Sequence, residues 1–362
     1  MTLPLHTLDA PLFAHAQTLL DDEWLARDPE LAPVLPTVLA RGVGQDWHKA
    51  GTFRHHLVGV ARSLTVWQQP RDVRLLGLLH SVYGNAFVDL VKFDPEKERA
   101  RVRALAGESA EHLVYLFCTM SRTQFVEKVL AQAMEPDGSL VLHKDGKDQV
   151  LSPYEVATFI IVSMADTIEQ WFSWQDDIFS RFPTVQHRPQ PVHWAASLWP
   201  GPMRPTGRMV SQINGLGLAL QHPALKGLLP TPPVFSHCTR ALQAADEAAA
   251  TSLYWSVIQQ DQPLVDLDVA TAVLESAVRH NPWVGEPQMV LAQLYLSAGR
   301  RDDARAAAES ALQLFSAWGN SWDKRVQWDA WVAWTRILLQ GASVQGAWPE
   351  RLDKLNNVAL RS

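Results

Sequence analysis

The stretch Phe53–Trp67 reads FRHHLVGVARSLTVW, and its pattern is typical of much of the chain. Its apolar residues recur every three or four positions, at Phe53, Leu57, Val60, Leu64 and Trp67. That spacing predicts an amphipathic helix with one face in a core. His56 lies within the apolar stripe, whereas His55 points elsewhere. The stretch therefore predicts a helix that carries one imidazole on its buried face.

Helical periodicity extends over most of the 362 residues, while sustained alternation of apolar and polar residues is scarce. The sequence therefore predicts an all-α fold. Asp72 is expected to cap a helix that runs to Tyr83, with Gly84 just beyond its end. Asp94-Pro95 is expected to open the next helix, which ends at Gly107, and Ser152-Pro153 to open another.

Three regions differ in composition and predict the domain organisation. Residues 1–182 form a predicted helical domain, with its core between about 40 and 180. Residues 183–239 contain ten prolines, which exclude long regular elements from much of the segment and predict a packed connector. Residues 240–362 are expected to form a second helical domain.

Small residues in the last region recur at an interval of 34 positions. Ala270, Ala277 and Pro282 are followed by Ala304, Ala311 and Ser316. This spacing resembles the tetratricopeptide repeat, in which small residues let paired helices pack closely. One or two such repeats cannot bury a core alone, so they are expected to pack on the first domain or on a second copy, or to bind a protein partner. The alternative is an ordinary helical hairpin.

Composition excludes several classes of protein. The net charge is −6 with no dominant basic patch, which argues against nucleic acid as a partner. The longest apolar stretches, such as 159–162, are too short for a membrane span. The two cysteines, Cys118 and Cys238, cannot make a disulfide framework or a thiolate zinc site. With no secretion signal evident, we expect a cytoplasmic protein.

Three polar residues occupy positions where the apolar pattern predicts burial. His56 lies in the stripe described above, His80 shares a helix face with Val73 and Leu76, and Asp166 follows the apolar run 159–165. A buried carboxylate is costly unless it is paired or bound to a metal. Two histidines and one aspartate can hold a divalent ion, such as Fe, Mn, Zn or Mg, with coordination positions left open. The alternative is three hydrogen-bonded core residues.

The order His56, His80, Asp166 on successive helices resembles the HD-domain superfamily of metal-dependent phosphohydrolases. Leu79–Gly84 (LHSVYG), followed by Gly107–Glu111 (GESAE) and Phe117-Cys118, more closely resembles an HD-like family of the DUF6817 type, which carries a His-Ser-x-Tyr-Gly signature. The resemblance covers roughly residues 40–180. It implies a helical domain with His56, His80 and Asp166 as metal ligands. Where HD proteins have an aspartate after the second histidine, this chain has Ser81, which makes a two-metal centre doubtful.

The resemblance and the surrounding residues suggest which side chains could carry chemistry. The catalytic candidates are Ser81, Tyr83, Glu108, Glu111 and Arg122. Glu108 and Glu111 could replace the missing carboxylate, as could Asp89, or they could simply complement a helix dipole. Arg122 could neutralise an anionic substrate, as could the arginines at 99, 101 and 103, whose alternative is a solvated helix face. His112 and His143 are possible extra ligands, although the polar turn around His143 favours exposure.

Three functions remain open at this point. The first is a metal-dependent hydrolase acting on a small anionic, for example phosphorylated, substrate. The second is a non-catalytic scaffold that binds a ligand or a protein. The third is a non-haem iron oxygenase that uses the His/His/Asp set.

Overall fold

The computed structural model describes residues 12–21, 23–48, 51–85, 90–144, 146–170, 209–238, 240–258 and 266–343. These residues are mostly helical, which confirms the predicted all-α class. Strands occur there as two short antiparallel hairpins, Trp47–His48 with Gly51–Thr52 and Leu140–Lys144 with Lys147–Leu151. Among the described residues, no helix combines the length and the apolar character needed to cross a bilayer.

The described residues fall into two compact units. The N-terminal unit comprises residues 18–170 and 209–235, and the C-terminal unit comprises 12–17 and 236–343. The predicted boundaries at 182 and 239 stay predictions, because residues 171–208 and 239 lie outside the described residues. Residues 209–235, which the sequence assigned to a connector, belong to the N-terminal unit.

Nine α-helices among the described residues make up most of the N-terminal unit, if the short helix of the C-terminal unit is numbered α1. They are α2 (Trp24–Arg27), α3 (Leu35–Leu39), α4 (Phe53–Val66), α5 (Arg71–Leu79), α6 (Arg99–Ala106), α7 (Glu108–Thr119), α8 (Arg122–Leu130), α9 (Pro153–Gln170) and α10 (Met209–Ala219), with a 3₁₀ turn at Pro233–Ser236. Helix α4 packs against both α5 and α9, α5 packs against α7, and α10 packs against α9. The predicted stripe of α4 is buried along its whole length. Helix α4 is therefore central to the core of this unit.

Three of the predicted helix ends differ from the structure. Helix α5 begins at Arg71 with Pro70 as its N-cap, so Asp72 lies within the first turn and does not cap the helix. Helix α5 ends at Leu79, and His80 is its C-cap, so the helix does not run on to Tyr83. The carbonyl of Val82 instead accepts hydrogen bonds from the backbone N–H groups of Lys92 and Phe93, which lie ten and eleven residues further along the chain. Helix α6 ends at Gly107 as predicted, but it begins at Arg99 rather than at Pro95.

The starts of α4 and α9 follow from local capping. Thr52 accepts a hydrogen bond from the His55 N–H, and the His55 ring in turn accepts from the Thr52 N–H. His55 is therefore the exposed capping residue of α4, and the next residue, His56, turns inward. At α9, the Glu155 carboxylate accepts from the N–H of Ser152 at 2.7 Å, which confirms the predicted start at Ser152-Pro153.

The C-terminal unit is a succession of packed helices. They are α1 (Ala14–Gln17), α11 (Ala244–Ile258), α12 (Leu267–His280), α13 (Glu286–Ser297), α14 (Arg301–Trp318) and α15 (Trp328–Ser343). From α11 onward each helix packs against the next. This includes α14 and α15, which are joined by the loop 319–327. The small residues of the 34-residue interval, Ala270, Ala277, Ala304, Ala311 and Ser316, are all buried. The helical pairs are thus present, and their identity as tetratricopeptide repeats stays a prediction.

A buried charged network ties the loop 319–327 to two helices of this unit. Asp323 accepts a hydrogen bond from the Tyr254 hydroxyl at 2.8 Å and from Arg325 Nε at 2.9 Å. Glu286, the first residue of α13, accepts from the Asp323 N–H at 3.1 Å. Both carboxylates are almost fully buried. Each charge therefore depends on these partners.

Candidate metal centre

Three elements of the N-terminal unit bring His56, His80 and Asp166 together. His56 projects from the first turn of α4, His80 caps the end of α5, and Asp166 lies in the last turn but one of α9. Their exposed fractions are 2, 1 and 6 %. The sequence predicted that all three would be buried and would meet, and the structure shows both.

The donor atoms lie at the separations that a shared cation requires. His56 Nε2 is 3.0 Å from His80 Nε2, and Asp166 Oδ1 is 3.4 Å from the first and 3.7 Å from the second. A circle through three points at these separations has a radius of about 2.0 Å, close to the 2.0–2.2 Å length of metal–imidazole and metal–carboxylate bonds. The residues present therefore fit a divalent ion that is held by these three protein atoms.

The outer nitrogens of both rings are held by acceptors. His80 Nδ1 lies 2.8 Å from the carbonyl oxygen of Gly77, and His56 Nδ1 contacts a carboxylate oxygen of Glu169. A carbonyl and a carboxylate only accept, so each Nδ1 carries a proton, and the Nε2 of each ring is turned toward Asp166. Burial lowers the pKa of His80 to about 4, although the negative charge of Asp166 acts to raise it. His80 is thus neutral near pH 7, as a metal ligand must be.

Asp166 is held as a carboxylate by a buried arginine. Arg122, the first residue of α8, donates from Nη2 to Asp166 Oδ2 at 2.7 Å, and its guanidinium lies 4.3 Å from the centre of the Phe117 ring. Burial alone would raise the pKa of Asp166, but the charge of Arg122, together with its hydrogen bond, holds that pKa below its usual range. Oδ1 is left facing the histidines.

Gln170 completes the polar environment of the three donors. Its side-chain amide lies 3.1 Å from His56 Nε2 and also donates to Asp166 Oδ1. Its N–H groups therefore supply partial positive charge to the same lone pairs that a cation would use. An ion bound by these atoms would displace the amide from them.

Two glycines allow the helices to approach closely enough to build this centre. A Cβ on Gly59 of α4 would lie 2.7 Å from Glu169 Cγ, and a Cβ on Gly77 of α5 would lie 2.3 Å from Leu64 Cδ1. Real Cβ atoms essentially never approach a neighbour so closely. The absence of these side chains therefore lets Glu169 reach His56 and lets α5 pack on α4.

The other predicted catalytic residues lie in different surroundings. Ser81 is buried, and its hydroxyl accepts from Asn85 Nδ2 at 2.8 Å. The Tyr83 hydroxyl donates to Glu111 Oε1 at 3.1 Å, and burial together with that carboxylate raises the pKa of Tyr83. Glu111 is buried, and it also accepts from Arg99 Nε at 2.7 Å. Glu108 is exposed at the start of α7. Of these five candidates, Arg122 is the one that contacts the donor set, through Asp166.

The remaining candidates pair elsewhere or are not described. His112 lies 2.9 Å from Glu155 Oε1, and His143 lies 2.5 Å from Asp148 Oδ1, with both rings exposed as predicted for His143. Arg103 Nη2 reaches Glu111 at 3.4 Å, and Arg101 reaches Glu98 at 3.7 Å. Asp89 lies outside the described residues.

Sequence reasoning missed Glu169 and Gln170. They follow Asp166 by three and four positions, which places them on the same face of α9. A search for polar residues at those spacings from Asp166 would have found both. The thiol of Cys118 donates to the carbonyl oxygen of His80 at 3.1 Å, and burial raises the pKa of this thiol to about 12.

The comparisons with known proteins identify one segment. Residues 37–122 match the family model described as a domain of unknown function, DUF6817. No match was found among curated proteins or among solved structures. The matched segment contains His56, His80 and Arg122, whereas Asp166 lies outside it. The comparison thus shows that the part of the N-terminal unit that supplies both histidines is similar to DUF6817.

Proposed function

We propose that the chain is a metal-dependent hydrolase that acts on a small anionic substrate. One observation carries the proposal. Three buried lone-pair donors, His56 Nε2, His80 Nε2 and Asp166 Oδ1, converge at 3.0–3.7 Å from one another. Close convergence of three acceptors is unfavourable unless positive charge lies among them, and a divalent ion supplies that charge most strongly.

The charge balance of the centre favours an anionic substrate. Asp166 and Glu169 contribute two negative charges and Arg122 one positive charge, with both histidines neutral. A divalent cation in this set leaves the centre with one net positive charge. A phosphate or carboxylate group would therefore be attracted, and in a low-dielectric site that attraction is strong.

The side chains around the donors would fix the geometry of the reaction. Glu169 and the Gly77 carbonyl hold the two imidazole rings in one tautomer and orientation. Arg122 keeps Asp166 ionised and turns Oδ1 toward the histidines. A bound divalent ion would lower the pKa of a water molecule and polarise a phosphoryl or acyl oxygen of the substrate. Because the protein supplies three donors, positions remain for water and substrate.

Metal content tests the proposal before any substrate is known. Purified protein incubated with Zn²⁺, Mn²⁺ or Fe²⁺ and then desalted should retain metal, and His80→Ala should lose it while far-ultraviolet circular dichroism stays unchanged. His112→Ala is the matched control, because that exposed histidine lies against Glu155, and it should retain metal. Equal retention by both variants would contradict the proposal.

A panel of phosphomonoesters, phosphodiesters and carboxylic esters then tests the reaction. Hydrolysis that depends on added metal and disappears in His80→Ala supports the hydrolase. Retained metal without hydrolysis of any member would favour the scaffold. The His/His/Asp donor set is also that of non-haem iron oxygenases, so retention of iron alone with oxygen consumption would favour that function.

The roles of the C-terminal unit and the cell compartment are further parts of the proposal. We propose that the packed helices of 244–343 act as a tetratricopeptide-like module that binds a protein or a second copy of the chain, and that the protein works in the cytoplasm. The proposed module rests on the buried small residues at the 34-residue interval. Light scattering at several protein concentrations would reveal self-association.

A further inference from the structure

The two carboxylate oxygens of Asp166 have different partners. Oδ1 faces His56 Nε2 and His80 Nε2, while Oδ2 accepts from Arg122 Nη2 at 2.7 Å. A carboxylate bridges two metal ions by giving one oxygen to each, and the ions of such pairs lie about 3.5–4 Å apart. In this chain the second oxygen is already taken by a cation that is part of the protein.

The Arg122 guanidinium is fixed in that place. Its side chain is buried, and it lies over the Phe117 ring at 4.3 Å. A guanidinium keeps its charge at any physiological pH. Asp166 is its ion-pair partner, and separating a buried pair leaves an uncompensated charge. A second divalent ion beside Oδ2 would therefore have to displace a buried positive charge or lie against it.

The nearby carboxylates that the structure describes already have partners. Ser81 follows His80, and its hydroxyl accepts from Asn85 at 2.8 Å. The Glu111 carboxylate is paired with Arg99 and with the Tyr83 hydroxyl. Glu169 is paired with His56. Among the described residues, the three donors form the single group of histidine, cysteine and carboxylate side chains that could hold a metal ion.

We propose that the centre binds one divalent ion per chain and that Arg122 is a positioning residue that occupies the place of a second ion. The guanidinium provides a fixed positive charge but, unlike a metal ion, it has no coordination positions. Water and substrate can therefore be coordinated by the one bound ion only. It also limits Asp166 to coordination through Oδ1. This inference rests on the proposed function, since it assumes that the three donors bind a metal.

Manganese stoichiometry tests the inference without any substrate. The full chain is dialysed against Mn²⁺, Mn is counted per chain by mass spectrometry, and electron paramagnetic resonance distinguishes an isolated ion from an exchange-coupled pair. We expect one Mn²⁺ and the isolated-ion spectrum. No bound Mn²⁺ would overturn the proposed metal centre and this inference with it. Two ions would overturn this inference alone.

Variants at two positions show whether Arg122 excludes the second ion. Ser81→Asp adds a carboxylate at the residue that follows His80 but leaves Arg122 in place, so it should still bind one Mn²⁺. Ser81→Asp with Arg122→Gln should bind two and show the coupled spectrum. Ser81→Asp with Arg103→Gln is the matched control and should bind one. Two ions in Ser81→Asp alone, or one ion in a folded Ser81→Asp/Arg122→Gln variant, would overturn the role of Arg122.

Discussion

Gly59→Ala should weaken metal binding without touching any of the three donors. The new Cβ would lie 2.7 Å from Glu169 Cγ. Since Cγ is bonded directly to Cβ of Glu169, it can move away only by rotation about χ1, and that rotation carries the carboxylate away from His56 Nδ1. His56 would then lose the acceptor that fixes its tautomer.

The expected loss of metal affinity in Gly59→Ala can be distinguished from a general loss of stability. Loss of a hydrogen-bonding partner of a metal-ligating histidine typically costs about 10–100-fold in metal affinity, which is about 1.4–2.8 kcal/mol. Alanine in place of glycine within a helix stabilises the fold by about 0.5–1 kcal/mol. Metal affinity should therefore fall, while the free energy of unfolding of the metal-free protein changes little, because the helix gain offsets the loss of the Glu169–His56 hydrogen bond, which costs about 1 kcal/mol.

Isothermal titration calorimetry with Zn²⁺ measures the affinity, and urea unfolding in the presence of a chelator measures the stability. Gly44→Ala is the matched control, because a Cβ there meets nothing within 4 Å, and its affinity should equal that of wild type. Glu169→Gln should weaken binding to a similar degree, and the double variant should show little further loss. An unchanged affinity in Gly59→Ala would refute the role assigned to Glu169.

Three other predictions concern packing, pH dependence and thiol reactivity. Gly77→Ala places a Cβ 2.3 Å from Leu64 Cδ1. Overpacking costs about 1–3 kcal/mol and the helix gain is at most about 1 kcal/mol, so the free energy of unfolding measured in urea should fall. Stability equal to wild type would contradict the packing. Burial, aided by Asp323, raises the pKa of Glu286 from 4.5 to about 7. The native state then binds more protons than the unfolded state between these pH values, so the free energy of unfolding should fall by about 3 kcal/mol as pH rises across them and then level off. Glu286→Gln should remove this decrease, and a decrease of the same size in the variant would argue against Glu286 as its source. Cys118 should resist iodoacetamide in the native protein and react after unfolding, as peptide mapping would show; rapid alkylation of the native protein would contradict its burial.

The sequence predicted the donors because each stands out against an apolar helix face. His56 interrupts the stripe of α4, and Asp166 interrupts the apolar run of α9. Such positions reveal burial from local periodicity alone. Burial of three groups that need partners is then a strong reason to expect that they meet.

The end of α5 and the role of Arg122 depend on contacts that local patterns do not contain. The helix stops at Leu79, and the Val82 carbonyl beyond it pairs with Lys92 and Phe93, which are remote in sequence. Arg122 was considered for contact with an anionic substrate, and the structure adds an ion pair with Asp166, which lies 44 residues further along the chain. Neither contact follows from helical periodicity, because each joins segments that are separate along the chain.

The most direct test of the account is X-ray absorption spectroscopy of the Zn²⁺-loaded protein. We predict a zinc site with two imidazole nitrogens and one carboxylate oxygen at about 2.0–2.2 Å, with one imidazole fewer in any metal that His80→Ala retains. A spectrum without imidazole scattering, or one that His80→Ala leaves unchanged, would contradict the metal centre.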